Sequence, residues 1–198
     1  MICCCLLITE AKHEFRWSEF VSFFPEVQDI FIDATERRTQ RPQKAKIQRK
    51  RYSGKKKTHT RKNTIMANEK RKILFLSKTR EGRLHDIKQL KKTCVLEHIH
   101  KGIAIWVDKA YVGIQDSLKH HNPVMIPHKK PKGKSLTSSQ KKENKIISGI
   151  RIIVEHAING IKRFASMSGI YRNRKGQDDQ MIYLCSGLWN FHLQYASC

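Results

Sequence analysis

The order of apolar runs predicts an α/β fold: a mixed five-stranded sheet flanked by helices. Two observations carry this. Three short apolar or β-branched runs come first, and strands and helices alternate after them. Two late segments, residues 140–164 and 179–195, are long and carry apolar residues at helical spacing. At 198 residues, 39% of them hydrophobic, the chain is long enough for one domain with a buried core.

Residues 14–24 (EFRWSEFVSFF) place aromatic and acidic side chains at helical spacing, and Pro25 stops that helix. Residues 1–28 are read as an N-terminal remnant with a linker helix, and 29–198 as the main domain. Within the remnant, Ile2–Ile8 is apolar but too short to span a bilayer. It lacks the basic start and cleavage site of a signal peptide. Asp29–Asp33 (DIFID) reads as a short buried strand ending in an acid. A basic stretch follows, exposed and loop-like at first, until Thr58–Ala67 and Lys72–Ser77 return as strands. Together the three strands suggest an antiparallel meander.

Gly82 breaks the chain before a helix at about His85–His98, with Asp86 as its N-cap. Ile103–Asp108 is the next strand, again ending in an acid. A short helix at Gln115–His120 and a strand at Val124–Pro127 follow. Residues 128–139 are basic and contain Pro and Gly, so they read as a loop. The two long helices complete the chain, and no internal repeat is evident. A meander followed by alternating elements matches a ribonuclease-H-like layer fold, as one of several candidates.

The formal net charge is +23, from 40 basic and 17 acidic side chains, and points to a polyanionic partner. The six cysteines form no C-x-x-C pair, which argues against a zinc ribbon or a thioredoxin-like site. They suggest a reducing, cytoplasmic setting.

Three acids stand out. Asp33 and Asp108 end strands, and strand ends are where sites form in α/β sheets. Glu155 lies on the long helix between two bases. Arg151 and Glu155 differ by roughly 40° around the helix axis, and Glu155 and Lys162 by roughly 20°. Converging carboxylates can hold a pair of hard divalent cations, roughly 4 Å apart, for phosphodiester cleavage. Each acid also has a plainer reading. An acid after a strand is most often a turn or helix cap. Arg151 and Glu155 alone would make an exposed helical ion pair worth only about 0.3–0.5 kcal/mol. It is the joint order of acids, on first strand, fourth strand and late helix, that favours a site.

The chain resembles the catalytic region of bacterial insertion-sequence transposases of the DDE superfamily, specifically the insertion-sequence-five family, which is related to Harbinger transposases. The matching blocks are DATERRTQRP (33–42), YSGKKKTHTRKN (52–63), EGRLHD (81–86), DKAYVG (108–113), PHKKPKGKSLT (127–137) and VEHAINGIKRF (154–164), with a weaker YRNRK at 171–175. These blocks disfavour a general ribonuclease-H-like nuclease.

The resemblance implies Asp33, Asp108 and Glu155 as catalytic acids binding two magnesium or manganese ions. It also implies water attack at a transposon end and joining of the released 3′-hydroxyl to target DNA. Of the family's Tyr-Arg-Glu-Lys signature, Arg151, Glu155 and Lys162 match, while Ser148 stands at the Tyr position. DKAYVG departs from the more usual form with Gly before Tyr111. DNA contacts are expected from Arg151, Lys162, Arg163, Lys55, Lys56, Lys57, His128, Lys129, Lys130 and Lys132. His85 and Asp86 are further candidates.

The expected partners are transposon-end and target DNA and a second copy of the chain, in the nucleoid and away from membranes. The family carries a helix-turn-helix region ahead of the first acid. Only 32 residues precede Asp33, so an N-terminally truncated or split-frame transposase is expected. The alternative is a catalytically inactive DNA-binding remnant, or an inhibitor of the full-length enzyme.

Overall fold

The computed structural model describes residues 8–9, 27–173 and 176–196. The helix expected at 14–24 and the last two residues of the YRNRK block lie outside them. Strand β1 is Ile8–Thr9 and β2 is Asp29–Arg38. Helix α1 (Ala45–Arg51), β3 (Tyr52–Ser53), β4 (Thr58–Ala67), β5 (Ile73–Leu76) and β6 (Arg80–Glu81) follow. Next come α2 (Asp86–Lys91), β7 (Ala104–Val107) and β8 (Val124–Met125), with 3-10 turns at Val95–His98, Lys109–Tyr111 and Gln115–Ser117. The chain ends with α3 (Ser138–Lys162), α4 (Ala165–Ser168) and α5 (Asp178–Tyr195).

The sheet runs β1-β5-β4-β2-β7-β8, with β3 and β6 paired to β4. Its five main strands are those expected. The count among the described residues is eight because three two-residue strands, invisible to any periodicity, add to them. β2, β4 and β5 form the antiparallel meander, whereas β7 adds to β2 and β8 to β7 in parallel.

Both faces of the sheet are covered, which is why its strands read as nearly continuous apolar runs. On one face Ile30, Ile32, Ile105 and Val107 pack with Leu90, Leu96, Tyr111 and Ile114. On the other, Phe31, Ile65, Ile73 and Leu76 pack with Val154, Ile158 and Ile161 of α3 and with Ile182 and Trp189 of α5.

Four expectations are corrected. β2 does not stop at Asp33 but runs to Arg38, because β4 continues to pair with it after β7 has ended. The basic stretch after it contains α1, made of good helix formers with no buried residue and so without an apolar stripe to signal it. The helix at 85–98 is broken, since Cys94 takes φ 53° and separates α2 from a 3-10 turn. Its N-cap is His85, without a side-chain cap, and Asp86 is the first helical residue.

Helix α3 begins at Ser138, where Thr137 and Gln140 form a reciprocal capping box. No residue of α3 before Val154 is buried, so its first half stands in solvent and its second half lies on the sheet. Helix α5 carries no Lys or Arg in a chain of 40. Among the described residues, no helix is long and apolar enough to cross a membrane.

Candidate active site

Parallel pairing of β2 with β7 sets the site. Phe31 faces Trp106 across the strands, with rings stacked at 6.1 Å, and the ladder ends at the Ile32–Val107 pair. Asp33 and Asp108 are the next residues on each strand, at matched register. Side chains two apart share a face, so both acids follow Phe31 and Trp106 onto the α3 side.

Arg151 comes down from α3 between them. Its Nη2 lies 3.4 Å from Asp33 Oδ2 and its Nη1 lies 3.5 Å from Asp108 Oδ1. The Arg151 side chain is only 15% exposed, so this guanidinium is the resident counter-charge of two converging carboxylates. Asp33 also accepts from the Ala34 N–H at 2.7 Å, and Asp108 from the Lys109 N–H at 2.6 Å. Asp108 therefore caps its 3-10 turn as well as facing Arg151, and the plain and functional readings coexist in one side chain.

Burial pushes the Asp33 carboxyl above its ordinary pKa, and the charges of Asp108 and Asp86 add to this. The Ala34 N–H and Arg151 pull against them. Lys162 is half-buried, and burial pushes its pKa down, helped by Lys56 and opposed by Asp33 and Glu36. Its ammonium thus lies within the field of Asp33 and Glu36.

Glu155 is exposed and forms no ion pair with the described residues. It follows Arg151 by one helical turn, roughly 6 Å along the axis. Among the described residues, no three His, Cys, Asp or Glu side chains stand close enough together to hold one ion. The structure thus brings Asp33, Asp108 and Arg151 together, with Lys162 nearby, and leaves Glu155 outside the group.

The remaining candidates spread over the surface. Lys55, Lys56 and Lys57 are exposed in the turn between β3 and β4. Arg163 lies over the Trp189 ring, 5.5 Å from its centroid. Lys129, Lys130 and Lys132 are exposed in the loop before α3. His128 is tied down instead. Its Nε2 lies 2.6 Å from Glu143, and Asn144 bonds both its backbone N–H (2.7 Å) and its C=O (3.2 Å). His85 is exposed.

Asp86 accepts from Lys62 at 2.7 Å. Lys62 was not singled out as a site residue. The one signal for it was a lysine inside a β-forming run that otherwise turns inward.

The donor chemistry fits a hard cation, since two carboxylates at matched register already share one positive group. The DDE superfamily endonuclease model matches residues 32–190, which takes in all three acids. The chain is 33% identical over 190 residues to the "Probable transposase for insertion sequence element IS702" of Microchaete diplosiphon. That similarity covers 95% of this chain and 66% of the relative, so the chain spans somewhat less than two thirds of its length. No solved structure matches. Paired aspartates where the β2–β7 ladder ends, the family model spanning them and the similarity to a transposase agree: the chain belongs to the DDE superfamily endonucleases.

Proposed function

We propose that residues 29–198 act as a metal-dependent transposase catalytic domain of ribonuclease-H-like type. It cleaves DNA phosphodiesters at transposon ends and joins the 3′-hydroxyl to target DNA. The observation that carries this reading is the Asp33–Asp108 pair sharing Arg151. An antiparallel meander extended in parallel by β7 and β8 supports the fold assignment.

Asp33 and Asp108, joined by Glu155, are the residues that would hold two magnesium or manganese ions. Bound there, such ions activate a water and stabilise the leaving oxygen. Arg151 balances the two aspartates, and its fork of donors suits a phosphodiester once those carboxylates are otherwise engaged. Lys162, half-buried in the field of Asp33, is placed to hold a second phosphate oxygen. The exposed lysines at 55–57 and 129–132 grip the backbone without reading sequence. A homo-oligomer would present two such sites to two DNA ends.

The test is nicking and strand transfer by the purified chain on duplexes carrying the element's own ends, with and without Mn²⁺. Divalent-dependent products that vanish in Asp108→Ala are expected. Equal product from that variant would remove the assignment. The placement of Glu155 away from the aspartates favours a second reading, a DNA-binding form without catalysis. Salt-sensitive binding with no metal-dependent cleavage would select it.

A further inference from the structure

Arg37 follows Asp33 by four residues on β2, so both side chains leave the same face of the sheet. Its Nη2 donates to Asp178 Oδ1 at 2.9 Å, and Arg61 Nη1 lies 3.4 Å from Asp178 Oδ2. The Arg37 and Asp178 side chains are 3% and 8% exposed, and that of Arg61 is 20% exposed. Two guanidinium groups thus share one carboxylate. Asp179, the next residue, accepts from the Thr79 N–H at 2.6 Å and forms no ion pair with the described residues. One positive charge is left over in a largely buried place, which is costly unless an anion meets it.

A cavity of about 410 Å³ opens beside this triad, with Arg61 and Asp178 in its wall. Arg41, Lys44, Arg51 and Arg172 also line it. Arg51 is matched by Glu81 at 3.2 Å, but Arg41, Lys44 and Arg172 form no ion pair with the described residues. The walls are tied down. The Tyr171 N–H donates to the Arg38 carbonyl at 2.9 Å, and Gln48 Nε2 to the Pro42 carbonyl at 2.7 Å. Arg37 lies over the Tyr171 ring, 3.8 Å from its centroid. Pro42, Ile47 and Tyr171 give the cavity an apolar side next to its charges. Its volume falls within the about 300–1,000 Å³ of small-molecule sites.

We propose that this cavity binds the phosphate monoester of a nucleotide, with the sugar and base against Pro42, Ile47 and Tyr171. A monoester carries about two negative charges at neutral pH, which suits several unmatched bases better than the single charge of a diester. Lys44 and Arg172 take phosphate oxygens from the rim, and the surplus charge of the Arg37–Asp178–Arg61 triad stands behind them. A free nucleoside monophosphate and the 5′-phosphorylated end of a DNA strand both carry this group. The site is separate from the aspartate pair and from the cations proposed there.

Calorimetric titration of the full chain in EDTA tests the proposal, with dAMP, deoxyadenosine and inorganic phosphate as probes. dAMP should bind at least about tenfold more tightly than either of the others. No binding of dAMP, or equal binding of deoxyadenosine, would overturn the phosphate site. Inorganic phosphate binding as tightly as dAMP would also overturn it, since nothing would then contact sugar or base. Lys44 and Arg172 are exposed, so the double variant Lys44→Ala/Arg172→Ala should fold. It should bind dAMP about tenfold more weakly. Unchanged affinity there refutes the assignment, as does an equal loss in Lys129→Ala/Arg130-free controls such as Lys129→Ala alone, which would mark a general charge effect. A short oligonucleotide then separates the two sources. If its 5′-phosphorylated form binds about tenfold more tightly than its 5′-hydroxyl form, the ligand is a strand end, and if the two bind equally it is a free nucleotide. None of these readouts uses cleavage, so the failure of the catalytic reading and the failure of this site are told apart.

Discussion

Asp33 and Asp108 share one guanidinium: the two nitrogens of Arg151 reach one carboxylate each, at 3.4 and 3.5 Å. Two acids and one base leave a net negative group at the junction of β2 and β7. A cation entering that gap competes with Arg151 for the same oxygens.

Arg151→Gln should therefore tighten Mn²⁺ binding to DNA-free protein. A partly exposed shared ion pair is worth about 1 kcal/mol, so the gain is about fivefold. The same variant should bind DNA more weakly, having lost a phosphate ligand. Mn²⁺ titration and fluorescence anisotropy measure the two effects, and weaker Mn²⁺ binding would contradict the competition.

The raised pKa of Asp33 gives a stability prediction with a definite sign. A carboxyl raised by burial favours its neutral form in the folded chain. Its contribution is present below the unfolded pKa and is lost as pH rises through the folded one. At neutral pH the ionised group works against folding. Asp33→Asn should thus raise the melting temperature in EDTA, and Mn²⁺ should stabilise the wild type but not the variant. A lower melting temperature for Asp33→Asn without metal would refute this.

The two glycines of α3 separate packing from propensity. A Cβ at Gly160 would stand 2.4 Å from the Trp189 ring, so Gly160→Ala should cost about 1–3 kcal/mol through overpacking. A Cβ at Gly149 meets nothing within 4 Å, so Gly149→Ala should stabilise by about 0.5–1 kcal/mol. Urea denaturation of both variants checks the pair.

Asn144 holds His128 by both backbone groups, which hangs the lysine loop on the exposed half of α3. Asn144→Ala should weaken duplex binding several-fold with little change in melting temperature. An unchanged affinity would mean that the loop needs no tether to meet DNA.

Glu143 adds a pH-dependent contact to the same tether. Its hydrogen bond to His128, then that from the Ser139 hydroxyl, holds its carboxyl below the ordinary glutamate range. A depressed folded pKa contributes above the unfolded value and is lost as pH falls through the folded one. Acidification through that window should loosen the loop in wild type, seen as faster amide exchange at 128–134, and Glu143→Gln should flatten the response.

Strands were legible where they carry apolar runs, at Ile30–Ile32 of β2, Ile65–Ala67 of β4, and throughout β5 and β7. The ends of β7 and β8 were readable to within two residues. Helix α1 was not, since its charged residues bury nothing, and neither was the break at Cys94, where a left-handed backbone interrupts an unremarkable helical pattern. Asp33 and Asp108 could be paired in advance because both follow apolar strands. Which cation lies between them could not. Helical angles place Arg151, Glu155 and Lys162 on one face, but packing depth turns only Arg151 and Lys162 inward. Lys62 was hidden for a different reason: its partners Glu36, Leu84 and Asp86 come from β2, the turn before α2 and α2 itself, and only the fold joins these.

Helix α5 is empty of Lys and Arg while the molecule carries a net charge of +23. α5 therefore offers a polyanion no ammonium or guanidinium of its own; the bases nearest it, Arg37 and Arg61 on Asp178 and Arg163 over Trp189, come from other segments. Leu184, Leu188, Phe191 and Tyr195 are exposed on that helix, an apolar surface with nothing to hold a phosphate backbone.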